Sequence, residues 1–156
     1  MEASFHLVGT ADLDVLLGFV RELYRLEHMP FDESGLKTAV QGMLDDPRHG
    51  RVWLIHDGDD PIGYAVLTLG YSFEFRGVDG FLDELYVRAD RRGQGVGKAA
   101  LRFVEDQARA LGVTALHLEV EHENTIAQTA YLKGGFYHHP RYMMTKWLID
   151  QGPSEP

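Results

Sequence analysis

The sequence predicts a mixed α/β (α+β) domain in which one sheet carries helices on its faces. Three observations lead there. Apolar periodicity switches repeatedly between two and 3.6 residues along the 156-residue chain. The early strands are joined by tight turns and read as antiparallel, whereas a later strand–helix–strand unit reads as a right-handed parallel crossover. A glycine-rich loop opens the helix of that crossover. The expected order is β-α-α-β-β-β-α-β-α-β in a single domain over residues 1–150, with 151–156 as a flexible tail.

Each element has its own signal. Phe5-His6-Leu7-Val8 reads as a first strand. Thr10 suits the N-cap of a helix carrying Leu13, Leu16, Leu17, Val20, Leu23 and Leu26 at helical spacing, ended by Pro30. SGLKTAVQGMLDD reads as a second helix. RVWLIH and PIGYAVLTLGYSFEF flank the turn DGDD and form a hairpin, and RGVDG leads into a further strand, FLDELYV. A helix follows over residues 97–111, with Val96, Ala100, Phe103, Val104, Ala108 and Leu111 on one stripe. VTALHLEVE is a strand, ENTIAQTAYLKGG a helix closed by glycine, and RYMMTKWLI a last strand.

Composition narrows the function classes. The formal net charge is −9, which opposes a nucleic-acid partner and favours cationic small molecules. There is no cysteine, so thiol catalysis, disulfides and cysteine metal sites are excluded. No apolar run approaches the ~20 residues of a membrane span, and the N-terminus lacks the basic start of a signal peptide, so a cytoplasmic address is expected. His138 and His139 are adjacent, but no third ligand has suitable spacing; no metal is expected.

The loop RRGQGVGK, residues 91–98, is the main chemical feature. The first turn of a helix exposes unpaired N–H groups and a partial positive charge, and glycines let a phosphate approach them. Three phosphate motifs compete. A P-loop fails, because Lys98 is followed by Ala99 and the residue five before Gly97 is Arg92. The dinucleotide fingerprint fails because its third glycine position is Lys98. The pattern R-x-x-G-x-G is met by Arg92, Gly95 and Gly97.

With that pattern, FLDELYVRADRRGQGVGKAAL resembles motif A of the GNAT acyl-CoA-dependent N-acetyltransferases. ENTIAQTAYLKGGF is similar to the same family's motif B, in the expected order and spacing. The similarity is close from about Gly80 to Phe136 and rests on element order before that. It implies acetyl-CoA as co-substrate, with its diphosphate on Arg92, Gly93, Gln94, Gly95, Val96, Gly97 and Lys98. It implies a pantetheine arm paired with Leu85, Tyr86 and Val87 in a splay between the fourth and fifth strands, and contacts from Asn124 and Ala127. Asn124 also suits a helix N-cap. Tyr131 aligns with the family's general acid, which protonates the departing thiolate. Asp83, Glu84 and Glu119 are three candidates for the base. Strict alternation places Asp83 with Phe81 and Leu85 on one face, and Glu84 with Leu82 and Tyr86 on the other. The backbone N–H of Val87 is the expected oxyanion donor.

The acceptor region gathers aromatic and acidic groups, among them Tyr24, Glu27, His28, Phe73 and Glu74. Such a lining suits a cationic amine through cation–π contacts and ion pairs. RELYRLEHMPFDE faintly resembles a helix of polyamine and diamine acetyltransferases. The expected activity is acetyl transfer to a primary amine of a small polyamine-, aminoglycoside- or amino-acid-like molecule. A protein N-terminus or lysine is the alternative acceptor, and a non-catalytic acyl-CoA-binding module the alternative class. Homodimers are common in the family, and the chain is compatible with one.

Overall fold

In a computed structural model, which describes residues 1–150, the chain runs through β1 (Ala3–Leu7), α1 (Leu13–Leu26), α2 (Glu33–Asp45), β2 (Gly50–Asp57), β3 (Asp60–Ser72), β4 (Gly77–Val87), α3 (Val96–Ala110), β5 (Ala115–His117) and α4 (Thr125–Lys133). Two compact units result, Met1–Glu119 and a second beginning at Val120.

The first unit holds the whole sheet, in the order β1-β2-β3-β4-β5. All pairs are antiparallel except β4–β5, which is parallel. Side-chain alternation gives the sheet two apolar faces. Leu16 and Val20 of α1 pack with Val52, Leu54, Tyr64 and Tyr86 on one face, where α2 adds Leu36, Val40, Met43 and Leu44. On the other face Val104 and Ala108 of α3 meet Trp53, Ala65, Leu67 and Leu82, and Val96 and Ala100 meet Ile55 and Ile62. The helix ends are capped locally. A 3-10 turn over Thr10–Asp12 precedes α1, and the Asp12 carboxylate accepts the Gly9 N–H (2.9 Å). Asp32 accepts the Gly35 N–H at the start of α2 (3.1 Å). Thr10 therefore opens the 3-10 turn rather than capping α1 directly.

One irregularity governs the site. Leu67 pairs with Leu82 and the next residue, Val66, pairs with Glu84, so Asp83 is an extra residue on β4. This β-bulge resets the alternation. Leu82 packs on the α3 face, while Tyr86 packs on the α1 face, the face to which Glu84 also turns. The grouping of Glu84 with Leu82 expected from strict alternation is thereby corrected.

A bulge also bends its strand and increases local twist. β5 pairs with β4 only from Asp79↔Ala115 to Phe81↔His117, and stops just before the bulge. From Leu82 to Val87, β4 has no strand on its β5 side among the described residues, which is the expected splay. The phase of the remaining ladder shows what is left exposed there. Arg88 N–H donates to the Ile62 carbonyl (2.8 Å), so Tyr86 and Glu84 bond to β3 in the same phase. The N–H and C=O groups of Leu85 and Val87 consequently point toward the side that β5 has left.

The second unit departs from expectation. Its helix α4 forms, with Asn124 as N-cap, but no strand forms at RYMMTKWLI. A strand needs a partner for its N–H and C=O groups, and the described residues of this unit contain no other strand. Tyr142, Met144 and Leu148 are 90%, 91% and 88% exposed. The expected tail, residues 151–156, lies outside the described residues.

Deleting Asp83 tests the role of the bulge. The register on either side of it would then join without a break, and Glu84 and Tyr86 would keep their face. The deletion variant is expected to fold cooperatively and to extend the β4–β5 ladder. Hydrogen exchange should show the amides of Leu85 and Val87 gaining protection relative to the parent chain.

Candidate active site

The glycine loop delivers α3 to the sheet with its N-terminus uncovered. Gly95 is the N-cap residue, no side chain caps it, and the first turn contains no acid. The first intrahelical bond is from Ala99 N–H to the Gly95 carbonyl (3.0 Å), so the amides of Val96, Gly97 and Lys98 precede the ladder and have no helical partner. The three glycines have different causes. Gly93 and Gly95 hold φ of 73° and 83°, a region that costs little only for glycine. Gly97 has no such angle, and a Cβ there would meet nothing within 4 Å. The fold itself therefore does not require glycine at 97.

Ion pairs fix this loop to the opposite hairpin. Arg91 reaches Asp57 (2.7 Å) and Asp60 (3.2 Å) in the β2–β3 turn, and Arg88 reaches Asp60 (2.9 Å) and Asp90 (2.7 Å). Arg92 donates through Nε to the Val87 carbonyl (2.8 Å) and lies over the Tyr86 ring, 5.7 Å from its centroid. The Gln94 side chain donates to the Asp90 carbonyl (3.2 Å). Lys98 makes no ion pair among the described residues. Arg92 and Lys98 are thus the loop cations not already neutralised by a carboxylate. Between the loop and the freed edge of β4 lies a cleft of about 300 Å³, lined by Leu85, Val87, Arg91, Arg92, Gly93, Gly95, Val96 and Gly97.

Within that freed stretch of β4 sits Glu84. Its Oε2 accepts from the Tyr24 hydroxyl (2.7 Å) and its Oε1 from the Tyr64 hydroxyl (2.8 Å). Burial pushes the Glu84 pKa up; the two phenol bonds oppose that, and the charges of Asp83 and Glu27 add to it. Burial likewise raises Asp83. Both phenols are raised, first by burial and then by Glu84, and so remain protonated donors at neutral pH.

The other expected residues fall in several places. Glu27 is the C-cap of α1, and His28 follows it at a φ of 54°. Phe73 and Glu74 occupy the β3–β4 turn. Strand rise puts that turn roughly 20 Å along β4 from Glu84, so it does not join the Glu84 cluster. Glu119 lies beyond the end of β5 and is exposed. In the second unit, Asn124 Oδ1 accepts from the Ala127 N–H (3.2 Å), so these two residues serve as an N-cap pair. Tyr131 packs edge-on against Phe136 (5.8 Å), and burial raises its phenol. No group of three metal-ligating side chains occurs among the described residues.

Sequence reasoning did not single out Tyr64, Arg88 or the Asp57 and Asp60 pairings. The opposite charges of DGDD and RADRR were a usable signal for the last. Tyr64 carries no comparable sequence signal, because its partner Glu84 lies 20 residues away on another strand.

An uncapped amide cradle beside an open strand edge is a shape that can be compared with known proteins. Residues 17–136 match the acetyltransferase (GNAT) family. The chain belongs to that family. An L-methionine sulfoximine/L-methionine sulfone acetyltransferase of Pseudomonas aeruginosa is 26% identical over 140 residues, covering 87% of this chain and 81% of the relative. An aminoglycoside N(6')-acetyltransferase type 1 of Klebsiella aerogenes is 29% identical over 106 residues, covering 67% and 69%. The solved structure of AAC(6')-Iy with a bisubstrate analogue of CoA and acetylneamine superposes with a TM-score of 0.79 at 17% identity, covering 96% of this chain and all of that one.

As a GNAT protein the chain is an N-acetyltransferase, and acetyl-CoA is its co-substrate. The residues present fit that molecule. Free amides and two cations answer a diphosphate, and the outward N–H groups of Leu85 and Val87 with the Leu85 C=O answer an amide-bearing arm. No helix among the described residues is long and apolar enough to cross a membrane.

Gly97→Ala separates ligand approach from loop geometry. The unliganded variant should be as stable as the parent or more so, by up to about 1 kcal/mol, measured by denaturant unfolding. Its KM for acetyl-CoA should rise by about tenfold or more, since a methyl group displaces the phosphate from its amides.

Proposed function

We propose that the acceptor is a primary amine on a small cationic molecule of polyamine, aminoglycoside or amino-acid type. Transfer is by direct attack while acetyl-CoA and acceptor are bound together. The observation that carries this reading is Glu84, a half-buried carboxylate within the stretch of β4 that β5 has left. Asp83 and Glu27 add negative potential around it, which favours a positively charged acceptor. The two named relatives act on an amino-acid derivative and on aminoglycosides, both small amine-bearing molecules.

The chemistry runs in three steps. The acceptor ammonium gives one proton to Glu84, whose raised pKa brings it closer to the operating pH. The free amine attacks the thioester carbonyl, and the Val87 N–H, pointing away from β3, stabilises the oxyanion. The C–S bond then breaks, and the thiolate takes a proton from Tyr131. The surplus proton on the new amide nitrogen restores the phenol by way of solvent, and Glu84 releases its own proton to solvent before the next turnover. No cysteine is present to carry an acetyl group, which excludes an acetyl-cysteine intermediate and supports direct transfer.

An acceptor screen that follows release of free CoA thiol tests this reading. Di- and polyamines, aminoglycosides and amino-acid derivatives are compared with peptide N-termini and lysine peptides. Small cationic amines should be turned over best. Turnover confined to peptides would overturn the acceptor assignment, and CoA release with no amine in the panel would overturn the transferase reading. In Tyr131→Phe, kcat should fall about 100-fold or more with little change in the KM for acetyl-CoA. Undiminished turnover under chemistry-limited conditions would remove Tyr131 from its role.

A further inference from the structure

We infer that Tyr24 and Tyr64 are positioning residues for acetyl transfer: a two-phenol clamp that holds Glu84 as an ionised, fixed base despite its burial. The inference rests on the reading of Glu84 as base. The geometry is specific. One phenol comes from α1 and the other from β3, and each donates to a different oxygen of the same carboxylate, at 2.7 and 2.8 Å. Tyr64 is wholly buried at 0% exposure, and its hydroxyl has Glu84 as its partner. A core position that needed only bulk would be served by phenylalanine, without the cost of burying a hydroxyl.

The surroundings explain why a clamp is needed. Among the described residues, the titratable and charged groups that act on Glu84 are Tyr24 from α1, Glu27 at its C-cap, Tyr64 from β3 and Asp83 from β4. None of these is a cation. Arg92, over the neighbouring Tyr86 ring, is engaged with the Val87 carbonyl. Neutral O–H donors are therefore the means by which the fold stabilises the negative charge. They do so without a competing cation, which would repel the acceptor's own ammonium. Fixing both oxygens also sets the plane of the carboxylate. A proton delivered to the carboxylate then meets an acceptor atom already oriented.

The test is Tyr64→Phe and Tyr24→Phe, singly and together, each isosteric and each checked by unfolding. Loss of one donor leaves the buried carboxylate less stabilised, so its proton affinity rises. The acidic limb of the kcat/KM–pH profile should move up by about one pH unit in each single variant and further in the double variant. Above the shifted limb, activity should recover toward that of the parent. A folded variant whose limb stays in place, or whose activity falls equally at every pH, would overturn the clamp.

Glu84→Gln separates this inference from the reading beneath it. If Glu84 is the base, the acidic limb disappears in that variant. If the limb persists, the base reading fails. The clamp is then read directly from the Glu84 carboxyl titration, followed by carbon NMR in the parent and in Tyr64→Phe. An upward shift in the variant supports the clamp, and coincident titrations refute it.

Discussion

One extra residue in β4 organises this molecule. Inserting Asp83 opposite Leu67 forces the strand to bend, and a bent strand cannot keep a straight parallel neighbour. β5 leaves after three pairs, and a stretch of β4 is left with unpaired polar groups. The same insertion swaps the faces on which later side chains fall. Leu82 stays in the α3 core, while Glu84 turns to the α1 side with Tyr86. The open edge beside the glycine loop and the inward-turned carboxylate, proposed to serve donor and acceptor, thus arise from a single local event. The cost is modest, because a bulge leaves only one residue outside the ladder, and here that residue stands at the rim.

Turning Glu84 inward has its own energetic consequence. A carboxylate without hydrogen bonds in such a place would take up a proton or be expelled to solvent. Two phenols meet that demand from elements far apart in sequence, Tyr24 on α1 and Tyr64 on β3. Helix, hairpin and bulged strand therefore all converge on one side chain. The stability of the α1 face and the protonation of the candidate base are linked through the same two hydrogen bonds. Because the carboxylate is raised by burial yet lowered by its donors, its affinity for a proton is a balance that either phenol can shift.

Much of this was legible in the sequence, and the exceptions are physical. Helical stripes such as Val96, Ala100, Val104 and Ala108 predicted a buried face on α3, and the structure buries all four. Gly95 and Gly97 pointed to the uncapped helix start. The bulge was not legible. FLDELYV reads equally well as a regular strand, and only the pairing with β3 shows that it carries one residue too many. Assigning Asp83 and Glu84 to faces by alternation failed for that reason. The expected last strand failed for another. RYMMTKWLI has the composition of a strand, but a strand is a property of a pair, and no partner strand lies in its unit. Tyr64 was missed because a buried hydroxyl is indistinguishable in sequence from any other large core residue until its partner is known.

The charge distribution resolves an apparent conflict. A chain with a formal charge of −9 must hold a polyanionic donor and, under the proposed function, a cationic acceptor close together. Two of the arginines leading into the glycine loop do little to neutralise the donor, since Arg88 and Arg91 are already paired with Asp57, Asp60 and Asp90. Those pairs are partly exposed and contribute little to stability individually. Their consequence is positional, for they tie the lead-in of the loop to the β2–β3 turn. With the loop fixed, the amides of Val96, Gly97 and Lys98 supply direction as well as partial charge, and the diphosphate can be gripped without a large excess of cations. The acidic surroundings of Glu84 are then left uncompensated, and the same acidity that would repel a loosely held anion serves to attract the amine.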